Sequence, residues 1–122
     1  MFTGERPLDP DEHRVLGLLL AQNFDGVDAL REQAKRASIV GHCDCGCPSV
    51  YLAPAPDAPE VHFATLLTPA EGRIAPENDG DPPGEIMLYM DDGRLSYLEY
   101  VYYDDVPPSW PPTDSISTVV LR

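Results

Sequence analysis

The chain has 122 residues, 43% of them hydrophobic, a length that fits one domain and a composition that argues against wholesale disorder. Eight basic residues against twenty-one acidic ones leave a net charge of −13 and a pI near 4.3. That balance repels phosphate backbones and anionic headgroups, so it speaks against direct nucleic-acid or membrane binding and for a basic protein partner or plain solubility.

The longest apolar run, Val15 to Ala21, is too short to span a bilayer. Glu5, Asp9 and Asp11 stand where a secretory signal would carry positive charge. With no export signal and three cysteines, an odd number, a reducing cytoplasm is the expected compartment and a disulfide framework is disfavoured.

In chain order, Asp9-Pro10-Asp11-Glu12 predicts a helix start, with Asp9 as cap, Pro10 in the first turn and Glu12 three residues after the cap. Val15, Leu16, Leu19 and Leu20 share one side of a helix to about Gln22, and Asn23-Phe24-Asp25-Gly26 breaks it. A second helix, Val27 to Arg36, carries Val27, Leu30 and Ala34 on one stripe. The pair is expected to pack antiparallel on one face of a sheet. Ser38 to Cys43 and Ser49 to Ala53 predict a hairpin turning at Asp44 to Pro48. Pro54, Pro56 and Pro59 then make a short stiff connection. Val61 to Leu67 is a third strand candidate, and Thr68 to Gly84 predicts a long loop rich in Pro, Gly, Asp and Asn.

Glu85 to Met90 and Leu95 to Tyr103 form the clearest hairpin, through the preferred two-residue turn Asp92-Gly93. Regular alternation places Met90 opposite Leu95, Leu88 opposite Tyr97 and Ile86 opposite Glu99, with Met87, Leu98, Tyr100 and Tyr102 on the other face. Both faces are largely apolar, which predicts a central hairpin. Val106 to Pro112 is a proline-rich exit carrying Trp110, expected to fold back over the sheet edge, and the rest is a polar tail ending in Val119-Val120-Leu121. The fold expected is α+β over a single domain, 1–122. Two N-terminal helices (about 10–36) pack on a four- to five-stranded, mostly antiparallel sheet (about 38–103), followed by the tail 106–122.

All three cysteines sit in His42-Cys43-Asp44-Cys45-Gly46-Cys47-Pro48. Soft ligands this close suit a zinc ion, whose tetrahedral site needs sulfurs about 3.8 Å apart. A turn at Gly46 would gather Cys43, Cys45 and Cys47, with His42 as fourth ligand and His62 or His13 as distant alternatives. The spacing lacks paired C-x2-C units. The competing readings are thiols buried as small residues beside Ile39 and Val50, or a redox pair, for which no C-x-x-C motif is present.

No nucleophile elbow, P-loop, dinucleotide fingerprint or H-E-x-x-H motif occurs, and no catalytic residue is predicted. His13 reads as solvated and His62 as a strand histidine. Glu99, placed among Ile86, Tyr97 and Val101, is either a desolvated acid or a carboxylate satisfied by tyrosine hydroxyls or solvent. Tyr97, Tyr100, Tyr102, Tyr103 and Trp110 crowd into fourteen residues. Aromatics of this kind serve both cores and binding hot spots. The expected partner-binding set is Tyr100, Tyr102 and Trp110, ringed by Asp104 and Asp105.

The segments C-x-C-G-C-P-S (Cys43 to Ser49), D-D-G-x-L-S-x-L-E (Asp91 to Glu99) and P-P-S-W-P (Pro107 to Pro111) resemble a group of small acidic actinobacterial proteins. The resemblance spans most of the chain and implies a cytoplasmic bacterial setting but no activity, cofactor or catalytic residue. The expectation is a non-enzymatic partner-binding adaptor or regulator with a zinc-holding hairpin tip. An immunity or antitoxin-like protein that neutralises a basic toxin, and a small enzyme using Glu99 or a cysteine, are the alternatives.

Overall fold

The computed structural model describes residues 5–24, 26–44, 46–61, 70–74, 84–103 and 109–120. The elements are β1 (Arg6–Pro7), α1 (Pro10–Leu19), α2 (Val27–Lys35), β2 (Ala37–His42), β3 (Val50–Pro54), β4 (Ala70–Ile74), β5 (Gly84–Asp91), β6 (Arg94–Tyr102) and β7 (Ile116–Val120), with a short 3-10 turn, Thr113–Ser115, before the last strand. The strands form one antiparallel sheet in the order β1-β2-β3-β6-β5-β4-β7, and both helices lie on one face. The class is α+β. The sheet has seven strands, where four to five were expected.

The extra strands have identifiable origins. β4 lies inside the predicted loop 68–84, where Ala70 to Ile74 pairs β5 on one side and β7 on the other. β7 lies in the predicted polar tail and pairs β4 at all five positions. The predicted strand Val61 to Leu67 falls, apart from Val61, outside the described residues. Among the described residues no helix is long and apolar enough to cross a membrane.

α1 begins as the sequence dictates. The Asp9 carboxylate accepts from the Glu12 N–H at 2.8 Å, and Glu12 Oε1 accepts from the Asp9 N–H at 2.8 Å, a reciprocal capping box. At its other end Gln22 donates to Thr118 Oγ1, which fastens β7 beneath the helix layer. Val15, Leu16, Leu19, Leu30, Ile39, Val50, Ile86, Leu88, Leu95 and Leu98 fill the space between helices and sheet.

The hairpin β5–β6 turns at Asp92 and Gly93, both at positive φ, as a two-residue turn with right-handed twist requires. Met90 pairs with Leu95 as expected, but the ladder then shifts and Tyr89 pairs with Tyr97. Ser96 is therefore an extra residue, a β-bulge. Beyond it Leu88 faces Leu98, Ile86 faces Tyr100 and Met87 faces Glu99, which corrects the register expected from unbroken alternation. The bulge puts Leu95 and Leu98 together in the core, which strict alternation forbids.

A buried amide anchors this turn. Gln33 of α2 is fully buried; its Oε1 accepts from the Leu95 N–H at 2.8 Å, and its Nε2 donates to Pro59 O at 2.7 Å and Gly93 O at 3.0 Å. Val61 N–H also donates to Gly93 O, at 2.9 Å, and Arg94 reaches back to the carbonyls of Pro54 and Ala55. The proline-rich connection is thus clamped to the turn from two sides. Replacing Gln33 by Leu leaves the Leu95 N–H buried without its partner and removes the donor that ties Pro59 and Gly93 to the helix. We expect Gln33→Leu to lose about 3 kcal/mol in urea unfolding with an unchanged m-value, far more than an apolar replacement on a helix stripe would otherwise cost.

Candidate functional site

The helices leave the other sheet face for recognition. Along β5, Ile86, Leu88 and Met90 turn toward the helices, whereas Glu85, Met87 and Tyr89 turn away. The register extends this outer face across neighbouring strands to Tyr97, Glu99 and Val101 of β6, Tyr51 of β3, and Glu71 and Arg73 of β4.

Three tyrosines make a row across three adjacent strands. Tyr51 and Tyr97 have ring centroids 4.4 Å apart, and Tyr89 and Tyr97 are 6.1 Å apart, each pair tilted by about 30°. Tyr51 is 48% exposed, and Tyr89, Tyr97 and Glu99 are half-buried. The Tyr89 hydroxyl donates to Glu99 Oε1 at 3.0 Å. Burial pushes the Tyr97 phenol up to about 12, helped by charge at Cys43, Glu99 and Tyr51 and opposed by a hydrogen bond with Ser49. Burial also raises Tyr89, and its bond to the Glu99 carboxylate raises it further. Both phenols therefore remain protonated at neutral pH. The row offers neutral hydroxyl donors and ring faces beside a carboxylate, and no phenolate nucleophile.

The expected partner-binding residues lie elsewhere. Tyr100 turns toward the helices and is 5% exposed, with Tyr102 at 6.4 Å and Trp110 at 5.7 Å between ring centroids. Trp110 thus folds back onto the middle of the sheet instead of its edge, held by the Arg14 guanidinium bonding the next residue's carbonyl, Pro111 O, at 2.7 Å. Asp104 and Asp105 lie outside the described residues.

The cysteine segment does form the tip of the β2–β3 hairpin. Cys43 N–H donates to Ser49 O at 3.3 Å, adding one rung, and Gly46 turns the loop at φ +86°. Cys47 is buried, and its thiol donates to Ser49 Oγ at 3.3 Å; the same oxygen accepts from the Tyr100 N–H at 2.8 Å. Cys43 is half-buried, and His42 points into a cleft of about 360 Å³ shared with Arg6, Asp9, Glu12 and Trp110. Cys45 and His62 lie outside the described residues, and His13 is exposed on α1. Among the described residues no three His, Cys, Asp or Glu side chains form a group able to hold a metal ion. Of the expected set His42, Cys43, Cys45 and Cys47, the three described residues therefore do not converge into such a group, and Cys45 lies outside the described residues.

In that cleft Arg6 grips Glu12 with two bonds of 2.8 Å. Burial alone would raise the Glu12 carboxyl. The Arg6 bond, the Asp9 N–H and the charges of Arg6 and His42 outweigh it and hold the group below its ordinary value of 4.5.

Comparison with known protein families, curated proteins and solved structures finds no match to the chain. The site must be read from its own chemistry. Sequence reasoning passed over Tyr51 and Tyr89 because each stands alone in its strand; only the cross-strand register brings them to Tyr97.

A carboxyl held low in the folded state is stabilising above its unfolded pKa, and that contribution disappears as pH falls through the folded value. Acidification below 4.5 should therefore destabilise the protein through Glu12. Glu12→Gln should cost about 2 kcal/mol at neutral pH and flatten this acid limb, as measured by urea unfolding at successive pH values.

Proposed function

We propose that the protein is a non-enzymatic partner-binding protein, an adaptor or small regulator, whose outer sheet face takes a basic segment of a protein partner. The observation that carries this reading is the row Tyr51–Tyr97–Tyr89 with Glu99 bonded at its end. Tyrosine rings accept guanidinium or ammonium groups over their faces for about 0.5–2 kcal/mol each, and a neighbouring carboxylate adds a charge-assisted bond. Glu71, paired with Arg73 at 3.1 Å, and Glu85 lie on the same face further along the strands, and the charge of −13 steers cations toward the protein from a distance. A basic toxin belongs to this partner class, so an immunity role would use the same face. The resemblance to small acidic actinobacterial proteins is consistent with a cytoplasmic setting.

Zinc at the hairpin tip is a separate part of the proposal and rests on the spacing of Cys43, Cys45 and Cys47 in the sequence. Protein purified without an affinity tag should hold close to one equivalent, and Cys45→Ser should release it. Less than about a tenth of an equivalent after zinc addition and washing removes the metal.

The face is tested with an oligoarginine peptide by titration calorimetry. Binding should weaken at least about tenfold between low and moderate salt, as opposite charges are screened. Tyr51→Ala and Glu99→Gln should each weaken it about fivefold to tenfold, while Asp57→Asn, on the exposed connection after β3, should change it little. Equal binding by all three variants would reduce the interaction to diffuse charge and overturn the assignment of the tyrosine row.

A further inference from the structure

The two edges of the sheet are built differently. At one end β1 is two residues long, and they are Arg6 and Pro7, a charge and a residue without an N–H donor. Short length, charge and proline are the devices that keep an edge from pairing further. At the other end β7 reads Ile-Ser-Thr-Val-Val, five residues with no proline, glycine or charge. One side of β7 pairs with β4 throughout, and among the described residues no strand pairs with its other side. Alternate residues of an antiparallel strand send both N–H and C=O to the same side, so the outer edge of β7 carries backbone donors and acceptors at strand spacing.

We infer that β7 is a self-association edge: a second copy of the chain pairs its β7 antiparallel to this one and continues the sheet across a two-fold axis. The register is self-complementary. An axis through Thr118 pairs Thr118 with its copy, Ser117 with Val119, and Ile116 with Val120. Paired positions have the same parity, so both copies keep their helices on one side and their tyrosine rows on the other. The interface is isologous and closed, which stops it from growing into a fibre. This inference stands apart from the basic-partner reading, and salt separates the two. Bodies of charge −13 repel each other, so self-association strengthens as salt screens them, whereas capture of a basic peptide weakens.

Sedimentation equilibrium on the full chain tests it. The mass should rise from 13.4 kDa toward twice that value as protein is concentrated in about 0.5 M salt, and less so in dilute buffer. Amide hydrogen exchange at Ile116 to Val120 should slow with protein concentration. Ser117 is exposed and sits opposite Arg73, so Ser117→Asp is tolerated by the fold while placing a carboxylate one residue from the axis, opposite the valine of the second copy, in both subunits. It should weaken association at least about tenfold. A monomer at every concentration and salt overturns the inference. So does association that leaves β7 exchange and the Ser117→Asp variant unaffected, because the contact then lies elsewhere. Protection of β7 only when oligoarginine is added assigns the edge to the partner and overturns it equally.

Discussion

The side-chain amide of Gln33 is the constraint on which the arrangement of helices and sheet depends. It is fully buried and uses both ends, accepting from Leu95 and donating to Pro59 and Gly93. A buried amide left without partners would be expensive, so α2, the β5–β6 turn and the proline-rich connection hold one relative position. The three hydrogen bonds add a directional constraint to the apolar packing of Val27 and Leu30 and fix the register of the helix against the turn. Gly93 belongs to the same joint: a side chain there would collide with the Val61 carbonyl, 2.4 Å from where its Cβ would lie.

The same joint explains the register. The extra residue, Ser96, follows directly on Leu95, whose N–H is taken up by Gln33. Leu95 and Leu98 then both reach the core, and the odd-numbered residues after the bulge, Tyr97, Glu99 and Val101, face outward beside Tyr89 and Met87. Glu99 accordingly meets a tyrosine hydroxyl in place of Ile86. One inserted residue converts a carboxylate expected on an apolar face into the end of an aromatic row.

The capping box, both helices, the hairpin turn and the cysteine tip were legible because each is encoded within a few neighbouring residues. What was not legible depends on distant partners. Ala70 to Ile74 has a central glycine and little β-propensity, and it becomes a strand because β5 and β7 flank it. Ile116 to Val120 does carry β-branched residues, and the prolines before it masked the pattern. Arg6–Pro7 is too short to have a period. Gln33 stands three residues after Leu30, on the stripe that Ala34 also satisfies, so its polarity concealed its burial. The tyrosine row is a property of register, which a bulge at Ser96 shifts by one without any local mark.

Ser49 joins the two regions to which chemistry can be assigned. Its hydroxyl accepts from the Cys47 thiol and the Tyr100 N–H, and hydrogen-bonds the Tyr97 phenol from the hairpin side. Because Ser49 is buried, any event that removes the Cys47 proton, metal ligation included, changes the donor set of one hydroxyl that also touches the middle of the tyrosine row. The cysteine tip and the outer face are thereby one hydrogen-bonded unit. A thiol at position 47 that served only to fill space could be exchanged for Ala with a packing cost alone, whereas this one also donates to a buried hydroxyl that the Tyr100 N–H shares.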